Sequence, residues 1–186
     1  PMASVEELRQ LRGCAALYVF EFLGDCKELL CVPRKDWVAA PEIHAVVILE
    51  KKEVRLFTSS PISPAVAYTD LIQTFLIQPG PALSKSGGHE ELLGGVGAKK
   101  LVTGIMYTSG QIPAPNELYE RYEVIEIALP YKLKTPVDRA AIEAIGFPEH
   151  PDLIRKKLKV REGREMKIFA VKLGTQKQMI LAQRLD

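Results

Sequence analysis

Four short segments between residues 16 and 59 constrain the fold most, because each has the length and residue types of a β-strand. They are rich in β-branched and aromatic side chains, and they cover residues 16–23, 28–33, 43–50 and 53–59. Short polar connections separate them, such as Gly24-Asp25 and Lys51-Lys52. Strands joined this closely are typical of consecutive hairpins, so the sequence predicts a four-stranded antiparallel meander.

The rest of the chain is predicted to add helices, one more strand and a second hairpin. Helical spacing of apolar residues and capping signals predict helices over residues 5–12, 65–78, 90–105, 137–145 and 151–159. The middle strand is expected over residues 121–129, and the hairpin over residues 165–173 and 177–185. The helix over 65–78 is predicted to begin at Ser63-Pro64 and to pack through Leu71, Ile72 and Phe75.

No internal repeat or break in composition divides these elements. We therefore expect one α+β domain over residues 1–186, with a basic segment at 151–186. Its predicted architecture is an antiparallel sheet, made of the N-terminal meander plus the C-terminal hairpin, with helices mainly on one face.

Composition excludes several classes of protein. The chain has 186 residues, of which 47% are hydrophobic and 26% charged, which is enough apolar material for a packed core and argues against disorder. No apolar run reaches the roughly 18 residues of a membrane span. The first residues lack the layout of a signal peptide. We therefore expect a cytoplasmic protein with no membrane partner.

The cysteine and histidine spacings fit no metal site. Three cysteines and no export signal argue against a disulfide framework, although a bridge between Cys26 and Cys31 across the first hairpin stays open. His44, His89 and His150 are far apart in the sequence, so no metal ligand set is predicted.

Positive charge is concentrated at the C-terminal end. Residues 151–186 contain ten Lys and Arg against four Asp and Glu. Such a segment is typical of contact with a polyanion or an acidic protein partner, and Lys156, Lys157 and Lys159 are the candidate residues. The alternative is a solvated surface with no partner.

A glycine-rich segment at residues 86–100 raises the possibility of nucleotide binding or catalysis. Gly94-Gly95-Val96-Gly97 lacks the Gly-Lys-Ser/Thr ending of a phosphate-binding loop, and no strand is predicted before it. Ser86, His89 and Glu90 place a hydroxyl, an imidazole and a carboxylate close together in sequence. A small enzyme or nucleotide binder therefore remains an alternative.

Aromatic and basic residues interleave on the predicted strands. Tyr18, Phe20 and Phe22 alternate and share one face, which lies either over the core or along an open groove. Arg55 and Phe57 share a strand face, and the only Trp lies in Arg34-Lys35-Asp36-Trp37. Rings flanked by cations suit single-stranded nucleic acid, because bases stack on rings while cations neutralise phosphates. We expect Trp37 and Phe57 in one partly exposed cleft, with Arg34 and Arg55 at its edges, and Lys35 is a further candidate for nucleic-acid binding.

These segments resemble the ThermoDBP-like single-stranded DNA-binding proteins of thermophilic archaea. The resemblance is carried by Tyr18-Val19-Phe20-Glu21-Phe22, by Arg34-Lys35-Asp36-Trp37 and by Arg55-Leu56-Phe57, and it covers about the first half of the chain. It implies a non-enzymatic protein that grips single strands. The chain departs from that pattern, because its C-terminal segment is predicted to form a hairpin and not a helix that dimerises through a coiled coil. The oligomeric state is therefore left open, with a homo-oligomer as one alternative.

The predicted function is therefore non-enzymatic binding of single-stranded DNA or RNA in an aromatic and basic groove, with no cofactor. The alternative from another class is a structural or adaptor subunit of a larger complex, which would hold an acidic protein partner through its basic segment.

Overall fold

The computed structural model describes residues 7, 9–50, 53–60, 66–102 and 105–185. Two compact units are formed: the first from residues 1–66, 79–98 and 116–119, the second from residues 67–78, 99–115 and 120–186. Each unit is assembled from separate stretches of chain. The expectation of a single domain stays a prediction.

Strands dominate the described residues. The strands are β1 (Cys14–Phe22), β2 (Asp25–Pro33), β3 (Glu42–Ile48), β4 (Val54–Ser59), β5 (Tyr68–Thr69), β6 (Phe75–Pro79), β7 (Lys99–Leu101), β8 (Tyr107–Ser109), β9 (Tyr119–Ala128), β10 (Ala141–Ile145), β11 (Met166–Leu173) and β12 (Gln176–Leu185). The helices are α1 (Pro81–Ser86), α2 (His89–Gly95) and α3 (Pro151–Leu158). None of the helices in the described residues is long and apolar enough to cross a membrane.

The first unit contains the four predicted N-terminal strands, but they do not form a meander. The strand order is β2-β1-β3-β4, and β3 runs parallel to β1. The connection between β2 and β3 must therefore cross β1 before β3 begins. Two backbone hydrogen bonds hold it at Gly13, from Arg34 N to Gly13 O (2.9 Å) and from Gly13 N to Trp37 O (3.2 Å). Residue patterns predict strands, but they carry no information about which neighbour a strand pairs with.

One face of this sheet carries the core of the first unit. Leu17, Val19 and Ala45 are buried there, and α1 packs on β1 and β3. The carboxylate of Glu21, on the same face, accepts a hydrogen bond from Ala82 N (2.8 Å) in the first turn of α1. A carboxylate at this end satisfies a free amide and is favoured by the helix dipole.

A disulfide links the two strands of the first hairpin. It joins Cys14 to Cys31, whose Cα atoms are 6.1 Å apart, and Cys26 is not part of it. The bridge that the sequence left open, between Cys26 and Cys31, is not the one that forms, because the partner of Cys31 is Cys14. Hairpin register places Leu17 opposite Cys31, which brings Cys31 near the start of β1.

The second unit is built on an eight-stranded sheet of order β10-β11-β12-β9-β6-β8-β7-β5. The predicted C-terminal hairpin and the strand over 121–129 are confirmed as β11–β12 and β9. The sheet is mixed, because β10 runs parallel to β11 and β5 runs parallel to β7. The prediction of a purely antiparallel sheet is therefore wrong, while the mixed α and β composition is confirmed.

Several predicted helices are strands in the structure. Residues 75–79 form β6 and residues 141–145 form β10, whereas helices were expected over 65–78 and 137–145. The helix over 90–105 is reduced to α2, which ends at Gly95 before β7 begins. A short apolar run has similar periodicity in a buried strand and in a buried helix, so tertiary pairing decides between them.

The predicted helix over 151–159 is confirmed as α3. Residues 5, 6 and 8 of the predicted helix over 5–12 lie outside the described residues, and so does Ser63-Pro64, where the helix predicted over 65–78 was expected to begin. The helices do not share one face of one sheet, since α1 packs on β1 and β3 while α3 packs beside β10.

Candidate functional site

The most unusual surface of the first unit is the sheet face opposite the core, called here the outer face. Its exposed apolar members are Phe22, Leu30, Val32, Val54 and Leu56. Leu30 is 52% exposed and Leu56 is 58% exposed, although both lie in the body of a strand. Strand residues of this kind are normally covered by a second layer, so the outer face is a candidate for interaction.

The aromatic residues of β1 belong to this outer face. Tyr18 stacks on His44 with ring centroids 4.5 Å apart, and its centroid lies 6.3 Å from that of Phe20. Nδ1 of His44 is 2.8 Å from Oγ1 of Thr58 on the neighbouring strand. The two readings left open by the sequence are therefore resolved, because β1 turns its aromatic rings away from the core and Leu17 towards it.

Phe57 and Arg55 lie on the inner face of the same sheet. Phe57 packs against the core, and its ring lies so close to Gly88 that a Cβ there would be 2.7 Å from Cε1. Arg55, at the open end of this face, pairs with Glu53 (3.2 Å) and Glu117 (3.4 Å). Because Arg55 has acidic partners, its presence does not make this face an open binding surface.

Trp37 lies in the crossing connection instead of sharing a cleft with Phe57. The guanidinium carbon of Arg34 is 5.0 Å from the centroid of the Trp37 ring, a cation–π arrangement. Lys35 is exposed in the same connection. The structure thus brings Arg34, Lys35 and Trp37 together, but it separates them from the inner-face pair Arg55 and Phe57. Their role in binding stays a prediction.

The basic segment is partly neutralised by acids that are distant in sequence. Lys157 pairs with Glu149 (2.5 Å), and Arg161 pairs with Asp138. Lys156 and Lys159 are exposed, and Lys159 ends α3 in the left-handed conformation (φ 56°). The charge excess of residues 151–186 is therefore smaller on the folded surface than in the sequence, and no contact tests the binding role of these lysines.

The glycine-rich segment has structural roles in this fold. Gly87 ends α1 with a positive φ of 75°, and the hydroxyl of Ser86 donates to Leu83 O (3.0 Å). Gly94-Gly95 forms the last turn of α2, so these glycines follow a helix and not a strand. Loops that bind phosphate begin after a strand, and this segment lacks that geometry. Among the described residues, no three His, Cys, Asp or Glu side chains are arranged to hold a metal ion.

The second unit contains a polar cluster that the sequence reasoning missed, centred on Lys167. Its side chain is only 13% exposed, and Nζ lies 2.7 Å from both Gln78 Oε1 and Glu143 Oε2. Nζ is also 3.3 Å from the hydroxyl of Tyr122. Ala182, directly opposite Lys167 on β12, has a side chain small enough to leave room for the long lysine side chain. The sequence indicated only that Lys167 and Phe169 share a face, which the structure confirms.

The carboxylates of the Lys167 cluster all have hydrogen-bond or ion-pair partners. Tyr122 donates a hydrogen bond to Glu120, and Arg184 pairs with the other oxygen of Glu120 (2.8 Å). Burial and the neighbouring Glu120 raise the pKa of the Tyr122 phenol, so it stays protonated at neutral pH. Glu143 accepts from both Gln78 and Lys167. With every carboxylate engaged, the cluster is suited to joining strands and not to taking up a proton.

The fold and its surfaces define a class of sheet-rich α+β protein with several exposed apolar residues on one sheet face and no evident catalytic constellation among the described residues. No protein-family model and no curated protein matches the sequence. A solved structure described as a "putative methyltransferase" from Porphyromonas gingivalis W83 is similar, with a TM-score of 0.80 and 25% sequence identity. The similarity covers 100% of this chain and 50% of that protein, so this chain spans half its length.

This similarity corrects the predicted function. The prediction of a non-enzymatic single-stranded DNA-binding protein is contradicted, because the structure that resembles this chain over its whole length is described as a "putative methyltransferase". None of the comparisons bears on the resemblance to the ThermoDBP-like proteins.

Proposed function

We propose that this chain acts in methyl transfer, as the half of a methyltransferase that holds or positions the methyl acceptor. The observation that carries this proposal is the similarity to the Porphyromonas gingivalis protein over the full length of this chain. A fold shared at a TM-score of 0.80 and 25% identity supports a shared role for this half.

The described residues do not fit the usual methyl donor, S-adenosylmethionine. Nucleoside cofactors of this kind are typically bound at the carboxyl ends of adjacent parallel strands, beside a glycine-rich turn that leads into a helix. Among the strands of the described residues, parallel pairing is confined to the separate pairs β1–β3, β5–β7 and β10–β11. Gly94 and Gly95 form the end of α2, so a helix and not a strand precedes Gly97. Donor binding is therefore assigned to the other half of the enzyme.

The role that we propose for this chain is therefore to bind the methyl acceptor and to orient it. The outer face offers apolar and aromatic contacts, and the first unit holds that face rigid through its core and the Cys14–Cys31 disulfide. The Lys167 cluster fixes five strands of the second unit in register, through Gln78, Glu120, Glu143 and Arg184. Rigid elements of this kind position a substrate more accurately than loops do.

Methyl transfer by a chimera tests the proposal. This full chain would replace the matching half of the Porphyromonas gingivalis protein, and transfer of tritiated methyl groups to RNA and protein of a cell extract would be counted. The other half alone should bind the donor without methylating, and the chimera should methylate. Donor binding by this chain alone would contradict the division of roles, as would full methylation by the other half alone.

A further inference from the structure

We infer that the first unit contains a binding site for a small organic phosphate, in a cleft beside the connection from β2 to β3. The cleft has a volume of about 450 Å³ and is lined by residues 9–12 and residues 38–40. Proteins hold small ligands in pockets of roughly 300–1,000 Å³, so the cleft is large enough for one. This inference goes beyond the proposed function and does not depend on it.

Two arginines line the cleft without an acidic partner. Within the part of the chain that the structure describes, neither Arg9 nor Arg12 has an ion pair or a side-chain hydrogen bond. Other arginines of the chain do have carboxylate partners, as Arg55, Arg161 and Arg184 show. Two positive charges at one cleft repel each other, and a bound anion replaces this repulsion by attraction.

A third arginine adds positive charge beside the cleft. Arg34 N donates a hydrogen bond to Gly13 O (2.9 Å), and Gly13 N donates one to Trp37 O (3.2 Å). These bonds attach the connection to the residue that follows the 9–12 segment. The guanidinium of Arg34 lies over the Trp37 ring, and the next residue, Val38, lines the cleft. The two segments that meet here are therefore held together next to three arginines.

The charge and the lining of the cleft indicate the class of ligand. Residues 9–12 and 34–40 contain four Lys and Arg against one acid, Asp36. Guanidinium groups bind the oxygens of carboxylates and phosphates in pairs. A phosphomonoester carries close to two negative charges at neutral pH, so it offsets both arginines where a carboxylate would offset one.

The remaining lining of the cleft indicates that the phosphate carries an organic group. Apart from the amide of Gln10, it is apolar, and its members are Leu11, Val38, Ala39 and Ala40. Contact with these side chains removes apolar surface of the ligand from water, which inorganic phosphate cannot exploit.

Isothermal titration calorimetry of the full chain at low salt tests the site, with phenyl phosphate as the probe. We expect a dissociation constant below about 1 mM. Benzoate has the same ring and one negative charge, and it should bind at least about fivefold more weakly. Inorganic phosphate lacks the ring and should bind at least about threefold more weakly.

Variants of the two lining arginines identify the residues responsible. Arg9→Gln/Arg12→Gln should weaken the binding of phenyl phosphate at least about tenfold, because both guanidinium groups are lost. The matched control Lys156→Gln/Lys159→Gln removes two charges from exposed lysines of the second unit, and affinity should stay within about twofold. Arg9→Lys/Arg12→Lys keeps the charge but loses the paired donors, so its affinity should fall between these two.

Each result either supports the site or overturns it. An undiminished affinity in Arg9→Gln/Arg12→Gln, or an equal loss in the lysine control, would overturn it, since binding would then reflect net charge alone. Absence of binding at about 10 mM phenyl phosphate would overturn it as well. Equal affinities for phenyl phosphate and inorganic phosphate would refute an organic ligand. Circular dichroism establishes that each variant is folded, and Arg9→Lys/Arg12→Lys carries the test if the glutamine variant is not.

Discussion

Replacement of Lys167 by Met should destabilise the second unit strongly, because it leaves acidic side chains without their cation. Met has nearly the same length, so packing against Phe169 is kept while the contacts to Gln78 and Glu143 are lost. Removing one member of a buried ion pair costs about 3–5 kcal/mol. The side chain of Glu143 is 28% exposed, so water recovers part of that energy. We expect the free energy of unfolding to fall by about 2–3 kcal/mol.

Urea unfolding followed by circular dichroism measures this loss. With a slope of roughly 2 kcal/mol/M, the midpoint should fall by about 1 M. Fluorescence alone is unsuitable, because the single Trp, Trp37, lies in the first unit. In the double variant Lys167→Met/Glu143→Gln, about 1 kcal/mol of the free energy of unfolding should be restored, because the unpaired charge of Glu143 is then absent.

The matched control for this prediction is Lys156→Met, which changes an exposed lysine of α3. Its effect should stay within about 0.5 kcal/mol of zero. If Lys167→Met costs no more than this control, the cluster does not stabilise the fold and the reasoning from its burial is refuted.

Three further predictions concern single groups. The raised pKa of Tyr122 stabilises the folded state fully below about pH 10, and this stability is lost as the pH rises further, by up to about 1.4 kcal/mol per pH unit. The urea midpoint of Tyr122→Phe should therefore decline less steeply in alkali than the midpoint of the unsubstituted chain. Gly88→Ala should cost about 1–3 kcal/mol in urea unfolding, because its Cβ would meet Phe57 at 2.7 Å, whereas Gly95→Ala, with no atom within 4 Å, should cost nothing. Burial raises the pKa of the Cys26 thiol, so iodoacetamide at pH 8 should modify it more slowly than it modifies glutathione, and an equal rate would contradict the burial.

Local signals in the sequence were reliable where an element depends on its own residues. The C-terminal hairpin was predicted from two alternating segments around Gly174, which has a φ of 58° in the structure. The helix α3 was predicted from Pro151 and a helical pattern, and Pro occupies its first turn. Where the same run of residues could form a helix or a buried strand, as at 75–79, the sequence favoured the wrong one.

The candidate surfaces depended on information that no local pattern contains. Alternation on β1 showed that Tyr18, Phe20 and Phe22 share a face, yet it could not show whether that face meets the core. A glutamate on the opposite face, Glu21, favours burial of the aromatic side when the sequence is considered alone. The structure reverses this, because the amide of Ala82 in α1 gives the buried carboxylate a partner.

By itself, the sequence determined the strands between residues 16 and 59 and the C-terminal hairpin, since Gly, Pro and β-branched residues act over a few neighbours. Only the tertiary structure decided the strand order, the pairing of Cys14 with Cys31, and the assembly of the Lys167 cluster. Lys167 is 89 residues from Gln78 along the chain but within hydrogen-bond distance of it in the sheet. Contacts of that range are set by which strands pair across a sheet, and strand pairing is a property of the whole fold.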